Sequence, residues 1–268
     1  KLYARVLLGE LEAWVAESDI LSFAQTGFRQ GASTIDSIIA LSLIREQALR
    51  PRASPCYCCF IDFSAAFDRV NRNTLWSKLA NWGIPPTLLR AIIGLHTNTW
   101  VRVKTGPTTV TERMASGRGL KQGCVLAPLL FNLYTADLPL ALKDQALAPP
   151  KLGPVPIQIL QYADDTVILD RTRVSLQRSL DALGVYNLEN DLTINRAKTK
   201  VLILGKRKYK KALKWQLGSD SIDTCRKYKY LGVWFSEDGK PGAHLHSLSR
   251  KAAAVSGGLL KLHHKLNS

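Results

Sequence analysis

Hydrophobic positions along this chain change spacing from segment to segment, and each spacing predicts an element. Leu7, Leu11, Trp14 and Val15 fall on one helical face. Gln25 to Gly31 (QTGFRQG) is polar and punctuated by glycine, which predicts a loop. Ser33 or Thr34 can then cap a helix carrying Ile35, Ile38, Ile39 and Ile44, with Pro51 and Pro55 ending it. Cys56 to Asp62 (CYCCFID) is a short apolar run closing on a carboxylate and reads as a buried strand. Asn73 to Trp82 reads as a helix stopped by Gly83, and Pro85 suits the first turn of another. Trp100 to Lys104 and Val110 to Met114 alternate around Gly106-Pro107, a hairpin signal.

In the second half, Pro128 to Leu142 reads as one apolar helix, and Ala148 to Pro156 (APPKLGPVP) as a loop dense in proline and glycine. Ile157 to Tyr162 and Thr166 to Leu169 are β-prone runs on either side of Ala-Asp-Asp. Leu176, Leu180, Leu183 and Leu188 mark another helix. Tyr228 to Phe235 (YKYLGVWF) is strand-like, and the tail after Gly242 has a helical pattern.

Charge narrows the reading. Lys and Arg total 37 against 21 acidic residues, a formal +16 over 268 residues. That balance favours a polyanionic partner, nucleic acid ahead of an anionic membrane surface. From Leu192 to Ser219 there is no acidic residue, and Lys206, Arg207, Lys208, Lys210 and Lys211 crowd beside Tyr209 and Trp215. Clustered cations suit phosphates and interleaved aromatics suit bases, so this stretch is expected to contact nucleic acid. No window approaches the roughly 18 uninterrupted apolar residues of a membrane span. No secretory signal pattern is present, and the adjacent Cys58 and Cys59 point to opposite strand faces. The expectation is an intracellular protein in a reducing compartment, not a secreted one. Lacking an initiator Met and opening directly into a helical pattern, the chain reads as part of something longer.

The candidate chemistry lies in carboxylates delivered by β-prone runs: Asp62 at the end of one, Asp164 and Asp165 between two others. Carboxylates at strand ends are hard oxygen ligands suited to Mg²⁺. The alternative is that Asp62 caps a helix and the Asp pair makes a turn. Adjacent acidic residues in a buried strand context repel, however, and a cation relieves that cost. Walker-type and dinucleotide-binding glycine loops are absent, and His244, His246, His263 and His264 lack the Cys spacing of a zinc site.

Six blocks in order carry a resemblance. Phe60 to Asp68 (FIDFSAAFD), Gly119 to Pro128 (GLKQGCVLAP) and Tyr162 to Asp165 (YADD) resemble the polymerase motifs of reverse transcriptases. Gln25 to Thr34 (QTGFRQGAST), Leu192 to Lys200 (LTINRAKTK) and Tyr228 to Val233 (YKYLGV) look like the LINE-type, non-LTR retrotransposon branch.

The resemblance implies an α+β right-hand polymerase fold: a palm with a central antiparallel sheet packed on helices. Fingers would occupy residues 1–56, palm with fingers insertions 57–240, and the start of a thumb 241–268. It implies RNA-directed DNA polymerase activity, adding dNTPs to a DNA primer on an RNA template with two Mg²⁺ ions, Mn²⁺ being an alternative. Asp62, Asp164 and Asp165 would be the metal ligands, and Lys198 a general acid near the leaving pyrophosphate. Arg29, Phe63, Phe67 and Gln122 would contact the dNTP: Arg29 at the triphosphate, Phe67 beneath the ribose 2′ position, Gln122 over the base. Tyr230, Leu231 and Gly232 would be the primer grip. The bland readings stay open: a solvated Arg29, a core Phe67, a plain strand and turn at Tyr230. Compared with the family pattern, the first fingers strand is missing, the thumb is partial and no endonuclease precedes the polymerase. Hence the alternative of a nucleic-acid-binding domain without turnover. No obligate protein partner is inferable; the lifestyle of such elements implies nuclear access.

Overall fold

The computed structural model describes residues 1–102, 104–107, 109–205 and 213–239. Helix α1 (Leu2–Ser18) buries Leu7 and Leu11, as the periodicity predicts. Helix α2 (Thr34–Leu49) starts in a capping box: Ser33 caps, and Asp36 accepts from the Ser33 backbone N–H. Strand β1 (Cys56–Ile61) leads into the one-turn helix α3 (Ala66–Arg69). Helix α4 (Arg72–Asn81) is capped by Asn71, whose side chain accepts from the Asn73 and Thr74 N–H groups; α5 (Pro86–His96) follows. Strands β2 (Trp100–Val101) and β3 (Met114–Ala115) form the expected hairpin, although its ladder is short.

The expected helix over 128–142 is two helices, α6 (Ala127–Tyr134) and α7 (Leu138–Leu142). Pro139 lies in the first turn of α7, where its missing N–H costs nothing and where it cannot extend α6. The expected loop over 148–156 contains a small hairpin of β4 (Lys151–Leu152) and β5 (Val155–Pro156). Strands β6 (Ile159–Tyr162) and β7 (Asp165–Asp170) follow, then helix α8 (Arg173–Glu189). Leu188, expected on the inner face of that helix, is 82 % exposed. Strands β8 (Lys200–Leu204), β9 (Lys214–Leu217) and β10 (Asp220–Cys225) have no counterpart in the sequence reading. The Tyr228–Phe235 run is a hairpin, β11 (Lys227–Tyr230) and β12 (Val233–Ser236), turning at Leu231-Gly232 with φ of 46° and 86°.

The main sheet runs β6-β7-β1-β8-β10-β9, antiparallel except for the β8–β10 pair. Its central strands are covered on both faces. Cys59, Ile61, Ile168, Val201 and Ile203 face a core shared with α1 and α4 through α8. Cys58, Phe60, Val167, Leu169, Leu202 and Leu204 face α2 and the β11–β12 hairpin. Burial on both faces is why β1 reads as a continuous apolar run. None of the five cysteines, all among the described residues, forms a disulfide. Among the described residues no helix is long and apolar enough to cross a membrane.

Arg72 fastens the segment before Gln122. It is 8 % exposed and donates five hydrogen bonds to neutral oxygens: His96 O, Thr99 Oγ1, Ser116 O, Arg118 O and Gly119 O, at 2.7–3.2 Å. Burial lowers its pKa. Arg72→Met strands those acceptors, so stability should fall by about 3 kcal/mol. Arg72→Lys should recover less than half of it, because an ammonium cannot reproduce the planar fork. Urea unfolding midpoints check this; a loss under about 0.5 kcal/mol would contradict it.

Candidate active site

The β1–β7 register brings the carboxylates together. Phe60 pairs with Val167 and Ile61 with Thr166, the last pair of the ladder, so Asp62 and Asp165 each lie one residue beyond the same end. Asp62 shares its face with Phe60, and Asp165 shares its face with Val167, the α2 side of the sheet. Asp164 lies in the tight turn between β6 and β7, after Ala163 at φ 54°.

The electrostatics follow. Desolvation first, then the charges of Asp164 and Asp62, push the Asp165 carboxyl up to about 6, with Lys198 opposing. Asp165 is exposed at the start of β7, and Asp164 beside it is half-buried. Asp164 is raised by desolvation and by Asp62, again against Lys198.

Lys198 reaches the group because Thr193 to Asn195 runs antiparallel beside Asp62 to Ser64. Ser64 N donates to Thr193 O (2.7 Å), Phe63 bridges Ile194, and Asn195 N donates to Asp62 O (2.6 Å). Lys198 Nζ then lies 3.5 Å from Asp62 Oδ1, and Thr199 Oγ1 accepts from Asp62 N–H at 3.2 Å.

Three neighbouring carboxylates, two of them with raised proton affinity, are the donor chemistry of a hard divalent cation. In that respect the residues fit Mg²⁺. Among the described residues, however, no three His, Cys, Asp or Glu side chains are gathered into a ready cage. Asp62 instead pairs with Lys198 at 3.5 Å.

The expected nucleotide contacts are placed unequally. Gln122 is exposed, and its amide donates to both carboxylate oxygens of Asp68, at 3.1 and 3.2 Å. The sequence reading missed Asp68, which aims Gln122. The loop carrying Gln122 packs tightly on α3: Leu120 N donates to Phe67 O, and Gly119 sits at φ 78°, where a Cβ would lie 2.6 Å from Asp68 O. Phe67 is half-buried and stacks on Phe131 at 4.8 Å, so one face belongs to the core. Phe63 is 5 % exposed and its ring lies in the core; it has backbone rather than ring to present to a nucleotide.

Arg29 donates from Nη1 to Leu21 O and Ser22 O, both at 3.1 Å, lining a concavity with Glu12, Asp19 and Phe28. No contact joins it to the carboxylates. Tyr230 is 2 % exposed and packs on Phe60, which also stacks on Tyr228 at 4.1 Å; the Leu231-Gly232 turn continues from there. Burial first, then the charges of Asp62 and Asp165, raise the Tyr228 pKa, so this hairpin lies within electrostatic reach of the carboxylates. Lys206, Arg207, Lys208, Lys210 and Lys211 lie outside the described residues, as does the span 241–268.

Comparison with known proteins gives a consistent picture. Residues 1–235 match the family described as reverse transcriptase (RNA-dependent DNA polymerase). The retrovirus-related Pol polyprotein from type-1 retrotransposable element R2 of Popillia japonica is 26% identical over 278 residues, covering 100% of this chain and 38% of that protein. The corresponding polyprotein of element R2DM from Drosophila melanogaster is 29% identical over 227 residues, covering 81% of this chain and 21% of that one. The probable RNA-directed DNA polymerase from transposon BS of Drosophila melanogaster is 29% identical over 260 residues, covering 94% and 28%. The chain thus spans between about a fifth and two fifths of these relatives. Among solved structures, apo telomerase from Candida tropicalis, truncated from the C-terminal domain, aligns with TM-score 0.58 at 14% identity over 89% of this chain and 44% of that one. That likeness is one of fold, the right-hand polymerase fold.

Proposed function

The chain belongs to the reverse transcriptase family, and we propose on that footing that it extends a DNA primer on an RNA template, using dNTPs. The observation that carries this reading is the β1–β7 register, whose end lies one residue from both Asp62 and Asp165, with Asp164 in the adjoining turn and Lys198 3.5 Å from Asp62.

Asp62, Asp164 and Asp165 would hold Mg²⁺, two ions in this reading, with Mn²⁺ as an alternative. Bound there, such ions would activate the attacking hydroxyl and stabilise the leaving oxygen. Lys198 carries a proton and a positive charge at the edge of the group, suited to a departing pyrophosphate. Gln122, aimed by Asp68, lies against the base, and Phe67 presents its ring beneath the sugar. Arg29 takes the triphosphate once it leaves the Leu21 and Ser22 carbonyls, and Tyr230 to Gly232 grip the primer. Residues 1–56 serve as fingers, 57–240 as palm and 241–268 as the start of a thumb. An enzyme of this kind works inside the cell, with access to the nucleus.

Primer extension on an RNA template with dNTPs and Mg²⁺ tests the activity. Extension supports it; tight binding of primer–template without extension would favour a holding module instead.

The charge makes a second expectation. Lys206 to Lys211 contribute five cations, and elsewhere Arg102, Arg113 and Lys121 line one concavity with the exposed Trp100. If even two of these displace counterions from phosphates, affinity should fall about tenfold or more between 50 and 200 mM salt. Neutralising Lys206 to Lys211 should flatten that slope without altering sequence preference. Flat salt dependence of the intact chain would contradict the expectation.

A further inference from the structure

We infer that Gln25 is a positioning residue for the Ala163-Asp164-Asp165 turn, held in place by Gly27 and Asn132. The inference rests on the carboxylate reading above and deepens it. Strand β6 is an edge of the main sheet, and its outer side is closed by the QTG segment rather than by another strand. Gln161 N donates to Ala24 O (2.8 Å), Thr26 N donates to Gln161 O (2.9 Å), and Gln25 pairs with Gln161 as a parallel bridge.

The Gln25 side chain then reaches past the strand into the turn. It is 3 % exposed. Its Oε1 accepts from Ala163 N (3.0 Å) and Gly27 N (2.9 Å), while Nε2 faces Ala163 O at 3.5 Å. An amide oxygen has two lone pairs, and both are used here. Ala163 is the left-handed residue immediately before the carboxylates. A non-glycine residue there is strained unless its surroundings fix it, and Gln25 is what fixes its N–H.

Gly27 makes the approach feasible: a Cβ on it would collide with the backbone N of Ala163. Asn132, fully buried on α6, donates from Nδ2 to Gly27 O at 2.6 Å. A connected set of contacts therefore runs from α6, just after the Gln122 loop, through Gly27 and Gln25 to the turn. Gln25 touches no reacting atom in this scheme; it sets where Asp164 and Asp165 stand.

Mn²⁺ binding to the intact chain, followed by loss of the free-ion electron paramagnetic resonance signal, reads carboxylate placement without any turnover. Gln25→Met removes both accepted bonds, and Gly27→Ala pushes the turn from the other side. Each is expected to weaken Mn²⁺ binding about tenfold or more and to lower the kcat of extension by a similar factor, leaving the primer–template Kd within about threefold; a factor of ten is ~1.4 kcal/mol. Gln25→Glu keeps an acceptor oxygen for both amides but sets its second oxygen against Ala163 O, so it should recover only part of the lost binding. Circular dichroism at the assay temperature establishes that each variant is folded. Folded variants with unchanged Mn²⁺ affinity would overturn the inference. So would loss of folding in both, since Gln25 would then be an ordinary core residue. A chain that binds Mn²⁺ with the expected variant pattern yet extends no primer would sink the polymerase reading and leave this one standing. A chain that binds no Mn²⁺ would overturn both.

Discussion

Asp164→Asn should slow primer extension at least about 1,000-fold, equivalent to ~4 kcal/mol of transition-state stabilisation, while the primer–template Kd stays within about threefold. The substitution is nearly isosteric, so packing around the turn is preserved. Its effect on charge is favourable to the fold: the Asp164 carboxyl is raised in part by Asp62, and Asp164 in turn raises Asp165. Each ionised member therefore destabilises its neighbours, and removing one leaves the melting temperature unchanged or slightly higher. Loss of activity without loss of stability is the signature of a group retained for chemistry. Rapid-quench extension, filter binding and thermal melting read the three quantities. A fall in binding and melting temperature together with activity would assign Asp164 to the fold instead.

Phe67→Val should lower discrimination against ribonucleotides about 100-fold, or ~3 kcal/mol, with a modest loss of deoxynucleotide use. The ring has two faces with different duties. One stacks on the fully buried Phe131 at 4.8 Å; the side chain is half-buried overall, on a short helix directly beneath the Gln122 loop, and its second face is the one expected to meet the sugar. A hydroxyl placed against that second face meets both a clash and the absence of a hydrogen-bond partner. Because Phe67 is half-buried, trimming it should cost about 1–2 kcal/mol of stability, below the 3–5 typical of a fully buried Phe→Ala. The ratio of dNTP to rNTP efficiency, measured beside the melting temperature, separates the contributions. An unchanged ratio with lowered stability would make Phe67 a core residue alone.

The parts of the fold legible in the sequence are those where one physical effect dominates. Strand β1 is buried on both faces and needs no alternation to be recognised. The carboxylates stood out because polar groups at the ends of apolar runs are expensive without a purpose. Other elements were hidden by competing effects. Strand β8 begins at Lys200, and β9 follows a basic run, so charge obscured the alternation Lys214, Trp215, Gln216, Leu217. On α2 the sequence draws the eye to Ile35 and Ile39, yet these are 60 % and 52 % exposed, and Ser37 is fully buried. Ser37 faces inward, its hydroxyl 2.9 Å from Thr26 Oγ1, a partner 11 residues away along the chain that no helical spacing announces. Asp68 and Gln25 were missed for the same reason: each acts through a contact with a loop more than 50 residues away.

The central position of β1 sets the order in which the chain can complete itself during synthesis. Both of its partners lie downstream, β7 at Asp165–Asp170 and β8 at Lys200–Leu204. Emerging from the ribosome at roughly 5–20 residues per second, the ~100 residues separating β1 from β7 take on the order of 5–20 s to appear. Throughout that interval CYCCFI has two unpaired edges, and its apolar faces are covered only in part by the helices already made, the properties of an aggregation-prone segment. The strand that presents Asp62 is thus also the point at which a nascent or prematurely terminated chain is most in need of a chaperone.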